Sequence, residues 1–459
     1  MRLIEPVVID SRRETVTLRA LRQAHEPIDG ASLAAFRISF GLLMAGYCVP
    51  MLRPEYLRGL YVQPQVQFTY LGFDWIQRLP LMGLLVVTGV LLLAAISMAC
   101  GFYQRLAAAT FFVGWTYFFL LEKAYYINHF YLVSLLMMLF VIMPGNGAFT
   151  SRWAGYPSTK VPRWCLWTIR SQFAILYFYA GLAKIQRDWI AGEPMRTFLA
   201  PYFDSAPSNP TLLHDSVAYA LSWGGLTFDL LLVPALLWPR TRIVAILFAA
   251  GFHLTNHALF NIGFFPWLSM AGALLFFPPE WPRRVLKRLN VATSLTRAQT
   301  ARIVLRKPNR LLIPFLCFYF VVQLVVPFQR FLYPGNAHWT EEGQKYSWLL
   351  MMKHKVGDVD FTVVNLDTGK RTRIIEERYM NAHQRHIMSG DPDMLLQFAH
   401  HLAAEESAKG NTRVTVYADA EVAFNGHRKQ KLVPPDLDLA SVERSWGHYS
   451  WIVTLEPDR

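Results

Sequence analysis

Long apolar runs constrain this chain more than any other feature of its sequence. A helix needs about 20 mainly apolar residues to span a bilayer, and only 17% of the 459 residues are charged, against about 25% in soluble proteins. The candidate spans are roughly 33–51, 80–100, 105–121, 129–144, 165–184, 216–237, 242–258, 262–278 and 312–330. The sequence therefore predicts an α-helical polytopic membrane bundle of about nine transmembrane helices.

The basic residues predict the orientation of this bundle. The stretch 279–311 contains nine Lys or Arg residues and a single acid, Glu280, and such loops remain in the cytoplasm. We predict a cytoplasmic N-terminal segment, 1–26, a transmembrane bundle, 27–331, with a basic cytoplasmic loop, 279–311, and an extracytoplasmic domain, 332–459. In a bacterium this topology corresponds to the inner membrane with a periplasmic domain, and in a eukaryote to the endoplasmic-reticulum membrane with a lumenal one.

The net charge of +13 does not indicate nucleic-acid binding. Much of it lies in loops between apolar segments, and no zinc-finger or helix-turn-helix spacing accompanies it. The four cysteines lie in or beside apolar segments, and none lies in 332–459. The cysteine pattern therefore predicts no disulfide framework.

The C-terminal domain reads as an α+β, β-rich fold. Residues 359–364 and 371–375 are predicted strands, joined by Asp367-Thr368-Gly369 as a hairpin turn. Asp391 is placed to cap a helix over 392–405, in which apolar residues recur at helical spacing. Residues 413–424 read as a further strand.

Lys184 ends the fifth predicted span, directly after seven uncharged residues. On one interpretation its ammonium group reaches the membrane surface and serves as an anchor. On the other, the lysine is buried, gives up its charge because it has lost its hydration, and acts as a general base. Arg37 and Asp229, within the first and sixth spans, are each costly alone and are predicted to form a structural ion pair.

Histidine and asparagine side chains are predicted at the same end of the bundle as Lys184. His129 follows Asn128 at the start of the fourth span, and His253 and Asn256 lie near the end of the seventh. His253 and His257 share a helix face, but the residue after His253 is Leu where a zinc-protease motif has Glu. The sequence thus indicates a pocket covered by the C-terminal domain, without a metal.

Several ordered stretches resemble the vitamin K-dependent γ-glutamyl carboxylase family, whose membrane part is also called the HTTM domain. The resemblance extends over about 27–455. Its stretches include Asn128-His129-Phe130-Tyr131-Leu132, Ala180-Gly181 with Lys184, Gly224-Gly225-Leu226 with Asp229-Leu230, and Tyr346-Ser347-Trp348.

This resemblance implies a membrane enzyme with a defined chemistry. It would oxidise reduced vitamin K, a menaquinol- or phylloquinol-type hydroquinone, to an epoxide with O2, and the strong base formed would allow CO2 to carboxylate a glutamate residue. No metal is implied. The expected partners are membrane lipid, the lipid quinone, a glutamate-containing peptide or protein, and a quinone reductase. The implied site residues are Lys184 and His129 for catalysis, His253, Asn256, Asn128 and Tyr177 for the quinone, and Tyr346, Trp348 and His354 for glutamate.

Two alternatives stay open from the sequence. The chain could epoxidise a quinol without carboxylating glutamate, or it could be a non-enzymatic membrane binding or transport protein that shares the bundle. Leu349-Leu350 departs from the family pattern, and no cysteine in 332–459 corresponds to the family's extracellular disulfide. Lys184 and His129 favour an enzyme, since a transporter does not need that lysine.

Overall fold

The computed structural model describes residues 19, 22–150, 158–204, 211–260, 262–291, 311–411 and 413–456. Most of the predicted segment 1–26 and of the basic loop 279–311 therefore lies outside the described residues. The longer helices of the N-terminal part are α1 (Ala31–Met51), α2 (Leu81–Cys100), α3 (Gln104–Leu121), α4 (Asn128–Ile142), α5 (Arg163–Ala183), α6 (Met195–Asp204), α7 (Thr211–Leu237), α8 (Arg242–Leu259), α9 (Phe265–Leu274), α10 (Trp281–Arg288) and α11 (Leu312–Val325).

Each predicted span coincides with one of these helices, but not all of them are both long and apolar enough to be clear membrane spans. In the part of the chain that the structure describes, five helices are long and apolar enough to cross a membrane: α1, α2, α7, α8 and α11 with its extension to Phe331. Helices α4 and α9 are apolar but shorter. A mostly helical protein with several apolar spans is confirmed, whereas the count of nine stays a prediction.

Small residues let the helices of the bundle approach closely. A side chain at Gly41 of α1 would lie 2.7 Å from the carbonyl oxygen of Ala95 in α2. A side chain at Gly272 of α9 would collide with the ring of Phe173 in α5. Such close approach is how helices associate where water does not drive packing. Two short strands, β1 (Pro27–Asp29) and β2 (Lys160–Pro162), pair antiparallel just before α1 and α5, so these two helices start at the same end of the bundle.

Arg37 and Asp229 do not form the predicted ion pair. Arg37 lies near the start of α1 and donates to backbone carbonyls at the end of α2, including that of Ala99 at 3.0 Å. Asp229 pairs with Lys184, at the opposite end of the bundle, at 2.8 Å. The prediction was wrong because membrane depth cannot be read from the position of a residue within a long helix.

The C-terminal domain is an antiparallel sheet covered by helices. Its strands are β3 (Lys355–Asn365), β4 (Arg371–Arg373), β5 (Val414–Phe424) and β6 (Gln430–Lys431), in the order β4-β3-β5-β6, and its helices are α12 (Ala382–Met388) and α13 (Pro392–Ala408). The predicted hairpin is confirmed as β3–β4, with Gly369 at φ +71° in the turn. Asp391 caps α13 as predicted, accepting a hydrogen bond from the Met394 N–H at 3.2 Å.

Aromatic and aliphatic side chains between the sheet and α13 form the core of this domain. Phe361 of β3 and Phe398 of α13 meet edge to face, with ring centroids 4.8 Å apart. Both are fully buried, and burial of one such side chain stabilises the fold by roughly 1.5–3 kcal/mol. Shorter helical turns complete the chain at Pro54–Leu57, Arg58–Val62, Lys123–Tyr125, Arg187–Ile190, Val326–Phe331, Ala337–Thr340, Glu376–Arg378 and Leu439–Ser441.

The domain packs on the end of the bundle where α3 ends and α4 begins. The loop between those helices carries Lys123, whose ammonium group lies 3.1 Å from Asp391 and 2.5 Å from Asp393. The preceding residue, Glu122, accepts a hydrogen bond from the Gln384 side chain of α12 at 2.9 Å. These contacts place the domain over the ends of the helices that carry the predicted site residues.

Candidate active site

A cavity of about 1380 Å³ lies between the bundle and the C-terminal domain. A volume of roughly 300–1,000 Å³ suffices for a drug-sized ligand, so this cavity has room for more than one small molecule. Most predicted site residues line it, although they come from distant parts of the chain. They are Asn128, His129, Tyr177, Lys184, Asp229, His253, Asn256 and His354.

Lys184 lies in the wall of this cavity with its amine fully engaged. Nζ is 2.8 Å from a carboxylate oxygen of Asp229 and 3.2 Å from the carbonyl oxygens of both Ala180 and Leu350. It also lies 4.8 Å from the centre of the Trp189 ring. The side chain is only 4% exposed. The interpretation of Lys184 as a surface-reaching anchor is therefore wrong.

Two glycines explain how α5 and α7 bring this pair together. A side chain at Gly181 would lie 2.6 Å from Leu230, the neighbour of Asp229. A side chain at Gly225 would meet the Trp189 ring at 3.3 Å. Close helix contact at these points sets Asp229 opposite the last turn of α5. These two glycines belong to the stretches that resemble the family, and close packing explains why each position holds a residue without a side chain.

His253 is held by a neighbouring tyrosine. Its Nε2 lies 2.9 Å from the Tyr177 hydroxyl, and the Phe228 ring packs against both side chains. His257, one turn later on α8, is exposed and packs on Trp267 instead. The two histidines therefore do not share a site, and no group of three or more His, Cys, Asp or Glu side chains in the described ranges could hold a metal ion.

His129 lines the same cavity. Its ring lies against Phe264 and Phe265, with centroids 5.0 and 5.6 Å away. Its ring nitrogens have no hydrogen-bond partner among the described residues, although the residue is only 9% exposed. Asn128 before it donates to the carbonyl oxygen of Leu349 at 3.2 Å, which ties α4 to the C-terminal domain.

One side of the cavity is an open apolar groove between α7 and α8. Its lining includes Leu231, Leu247 and Phe248, which are 57%, 67% and 71% exposed. Side chains built at Gly224 and Gly251 would meet no atom within 4 Å. We call this part the α7–α8 groove. It connects the polar wall around Lys184 with the apolar outer surface of the bundle.

The opposite side of the cavity is strongly basic, which sequence reasoning missed. Four lysines line it, and we call them the lysine cluster: Lys123, Lys345, Lys353 and Lys355. They share two lining carboxylates, Glu341 and Asp391: Lys355 lies 3.6 Å from Glu341, and Lys345 lies 3.2 Å from Asp391. The alternation of Lys353 and Lys355 around His354 was the only local signal that could have indicated it.

Burial makes these charges costly. It lowers the pKa of Lys355 to about 8 and also lowers the pKa of Lys345, although nearby carboxylates oppose both shifts. Glu341 is buried too, but the surrounding lysines hold its pKa below the usual value. Because four ammonium groups share three carboxylates, Glu341, Asp391 and Asp393, this wall favours an anionic ligand.

Two regions of the chain match known families, and they meet at this cavity. Residues 25–281 match the HTTM domain family, and residues 308–458 match the family described as vitamin K-dependent gamma-carboxylase, lumenal domain. The chain belongs to the vitamin K-dependent γ-carboxylase family. No solved structure matches it.

Membership of the γ-carboxylase family implies a carboxylase-type membrane enzyme. The family uses vitamin K hydroquinone, O2 and CO2 and acts on a glutamate-containing protein. In this γ-carboxylase homologue, Lys184, His129 and His253 lie in the HTTM region, whereas three lysines of the cluster lie in the lumenal-domain region. Both matched regions therefore contribute to the cavity lining.

The segment expected to bind glutamate adopts a strained backbone in this γ-carboxylase homologue. Tyr346, Trp348 and Met351 have φ angles of +66°, +54° and +58°, a left-handed conformation that costs of order 1–3 kcal/mol for a residue other than glycine. Residues 349–352 within and after this segment line the cavity. Strain of this kind is concentrated at functional sites.

Tyr346 and Trp348 support the cavity wall and do not line it. Their rings pack on Tyr131 of α4, with centroids 5.0 and 5.1 Å away, and Trp348 is fully buried. Their contact with the substrate therefore stays a prediction, since neither residue is part of the cavity lining. Of the three predicted glutamate-binding residues, only His354 lines it.

Proposed function

We propose that this protein is an integral membrane enzyme that couples oxidation of reduced vitamin K by O2 to γ-carboxylation of glutamate residues with CO2. One observation carries the proposal. A single cavity is lined by an apolar groove, the paired amine of Lys184 and the lysine cluster. The groove suits a lipid quinol, the amine supplies a base, and the lysine cluster suits a carboxylate substrate.

The residues at the inner end of the α7–α8 groove suit a quinol. His129, His253 and Asn256 supply polar groups within an aromatic wall formed by Phe228 and Phe265. A quinol ring would lie among these groups, and its isoprenoid chain would follow the groove to the apolar surface. When bound, reduced vitamin K and O2 would supply a base strong enough to remove a γ-hydrogen from glutamate.

The lysine cluster suits the glutamate side chain. A hydrogen bond to a charged group contributes about 1.5–3 kcal/mol, and the cluster has more ammonium groups than lining carboxylates. Lys353 and Lys355 follow directly on the segment whose Leu350 carbonyl contacts Lys184. A carboxylate held by the cluster would therefore lie next to the proposed reaction centre.

The chain's own part in catalysis is to bind, to exclude water and to move protons. Lys184 would accept a proton from the quinol, and His129 would stabilise negative charge beside it. Aromatic side chains from α7, α8 and α9 surround the polar wall, and a water-poor site protects a strong base from being quenched.

The same proposal includes the placement of the protein in its membrane. Lipid quinol would diffuse sideways into the α7–α8 groove, and glutamate substrate would reach the lysine cluster from the aqueous side. We propose that the C-terminal domain faces the extracytoplasmic side, which is the periplasm if the protein is in a bacterial inner membrane. A quinone reductase would regenerate the quinol.

One assay tests the proposal directly. Purified protein in lipid is given reduced vitamin K, O2, labelled bicarbonate and a short glutamate peptide, and both epoxide and labelled peptide are followed. We expect both products. Formation of epoxide without labelled peptide would reduce the function to quinol epoxidation. The absence of both products would overturn the proposal.

A further inference from the structure

The environment of Lys184 raises a chemical problem for a base at this position. Three acceptors surround Nζ: the Asp229 carboxylate at 2.8 Å and the carbonyls of Ala180 and Leu350 at 3.2 Å. An ammonium group has three N–H donors and no lone pair, so this arrangement satisfies the charged form completely. An ammonium group cannot accept a proton, so a base here needs a second group to take one away.

Asp229 is the group placed to do so. One of its oxygens accepts from Lys184, and its other oxygen has no hydrogen-bond partner in the described part of the chain, although the residue lines the cavity. If the proton moves along the 2.8 Å contact, Asp229 becomes a carboxylic acid that donates to the amine lone pair. The amine keeps two N–H donors for the two carbonyls, so every contact is satisfied in both states.

We propose that Asp229 is a proton-accepting residue of the reaction and that Lys184 and Asp229 act together as one base. This inference rests on the proposed function. Nζ of Lys184 passes one of its protons to Asp229. Once the O–H of the acid turns from the amine toward the cavity, the freed lone pair of Nζ accepts the proton released when the quinol O–H bond breaks. The pair then holds one proton more, as an ammonium group beside a carboxylic acid, and the quinol oxygen keeps the electron pair of the broken bond.

The other titratable side chains near the pair do not offer this route. Tyr177 and His253 bond to each other at 2.9 Å, and His129 packs on the Phe265 ring without a hydrogen bond to either residue of the pair in the described part of the chain. Among the described residues, Asp229 is the carboxylate in contact with Lys184. A purely structural role remains the rival explanation, in which the carboxylate only holds the ammonium group in place.

The test compares Asp229→Asn with Asp229→Glu, and with Asp215→Asn as a matched control. Asp215 lies on the same helix, pairs with Arg196 at 2.7 Å and is 41% exposed. Quinol epoxidation is measured together with the labelling of Lys184 by an amine-reactive reagent across pH, read by mass spectrometry. A non-reacting quinone analogue reports binding in each variant.

We expect Asp229→Asn to lower epoxide formation at least about 100-fold, within the range for general acid–base catalysis, while analogue binding changes little. Lys184 in this variant should become labelled at lower pH than in the wild type, because its charge has lost its partner. A reactive amine that does not turn over while the quinone analogue still binds would show that a neutral Lys184 without the Asp229 carboxylate does not suffice as the base.

Other outcomes separate a proton-accepting role of Asp229 from a purely structural one. Asp229→Glu keeps a carboxylate and should retain more turnover than Asp229→Asn, and Asp215→Asn should match the wild type. Turnover in Asp229→Asn equal to or above that of the wild type would overturn the inference, as would equal losses in the Asn and Glu variants. If the wild type itself forms no epoxide, the proposed function fails and not only this extension of it.

Discussion

Lys184 of the helical bundle donates a hydrogen bond to the backbone carbonyl of Leu350 in the C-terminal domain, across 3.2 Å. The two residues are 166 positions apart, and they belong to the regions that match different domain families. The candidate base is therefore completed by the C-terminal domain. Neither region has the whole site alone, so the domain is part of the active site rather than an appendage.

Removal of the Lys184 amine tests its role as the base. Lys184→Ala should lower epoxide formation by about 100- to 10,000-fold, the usual contribution of a general base. The matched control is Lys160→Ala, which changes an exposed lysine in β2. Quinol turnover in lipid is the measurement, with thermal unfolding to show that the variant is folded. Turnover close to that of the wild type would exclude Lys184 as the base.

Lys355 should make glutamate binding depend on pH. Burial lowers its pKa to about 8, so the cation that attracts a carboxylate is present below pH 8 and is lost as the pH rises above it. We expect the KM for a glutamate peptide to rise by roughly tenfold from pH 7 to pH 9, consistent with loss of about 1.4 kcal/mol.

The Lys355→Arg and Lys355→Gln variants show whether the charge of residue 355 causes the pH dependence of peptide binding. Arginine stays charged throughout this range, so Lys355→Arg should remove most of the rise in KM above pH 8. Lys355→Gln should have a high KM at every pH, with quinol epoxidation unchanged. If both variants keep the pH profile of the wild type, another group governs peptide binding.

A bulky residue in the α7–α8 groove should affect quinols according to their chain length. A side chain at Gly251 would meet open space in the groove, so Gly251→Leu should fold and should partly fill it. We expect the KM for a long-chain menaquinol to rise at least about fivefold, corresponding to about 1 kcal/mol, with little change for a quinol that has no chain.

Gly89 of α2 provides the matched control, because its position is also open but lies outside the cavity lining. Gly89→Leu makes the same chemical change in another apolar helix and should leave both KM values as in the wild type. An equal effect of Gly251→Leu on quinols with and without a chain would contradict the groove as the chain-binding part.

Glu122 should make the stability of the contact between the bundle and the C-terminal domain depend on pH. It lies in the loop after α3, and burial raises its pKa to about 7. The hydrogen bonds that it accepts from Ala124, Phe68 and Gln384 act in the opposite direction and lower the pKa. A carboxyl whose pKa is raised by folding stabilises the fold fully below its unfolded pKa, and that stability is lost as the pH rises through about 7. The loss amounts to about 3 kcal/mol between pH 4.5 and 7.

Thermal unfolding between pH 5 and 8 measures this effect. The wild-type Tm should fall as the pH rises, and Glu122→Gln should lack that part of the dependence. At pH 5 its Tm should be close to that of the wild type, because the protonated acid and the amide are both neutral and each has one donor group and a carbonyl acceptor. Parallel Tm profiles for the two proteins would show that Glu122 does not titrate in this range.

The apolar runs determined most of the local structure. Every predicted span is a helix, because helix formation depends on residues near one another in sequence. The β3–β4 hairpin and the Asp391 cap were equally predictable, since turn and cap preferences are local. Lys184, His129 and His253 could be singled out because polar residues in apolar helices are costly.

The partners of these residues were decided only by the tertiary structure. Asp229 bonds to Lys184 and not to Arg37 because close contact at Gly181 sets α7 against the end of α5. Similarly, the lysine cluster forms only because the domain folds back over the bundle and brings Lys123 to Asp391. The energy of an ion pair depends on distance and burial, and the order of residues along the chain specifies neither.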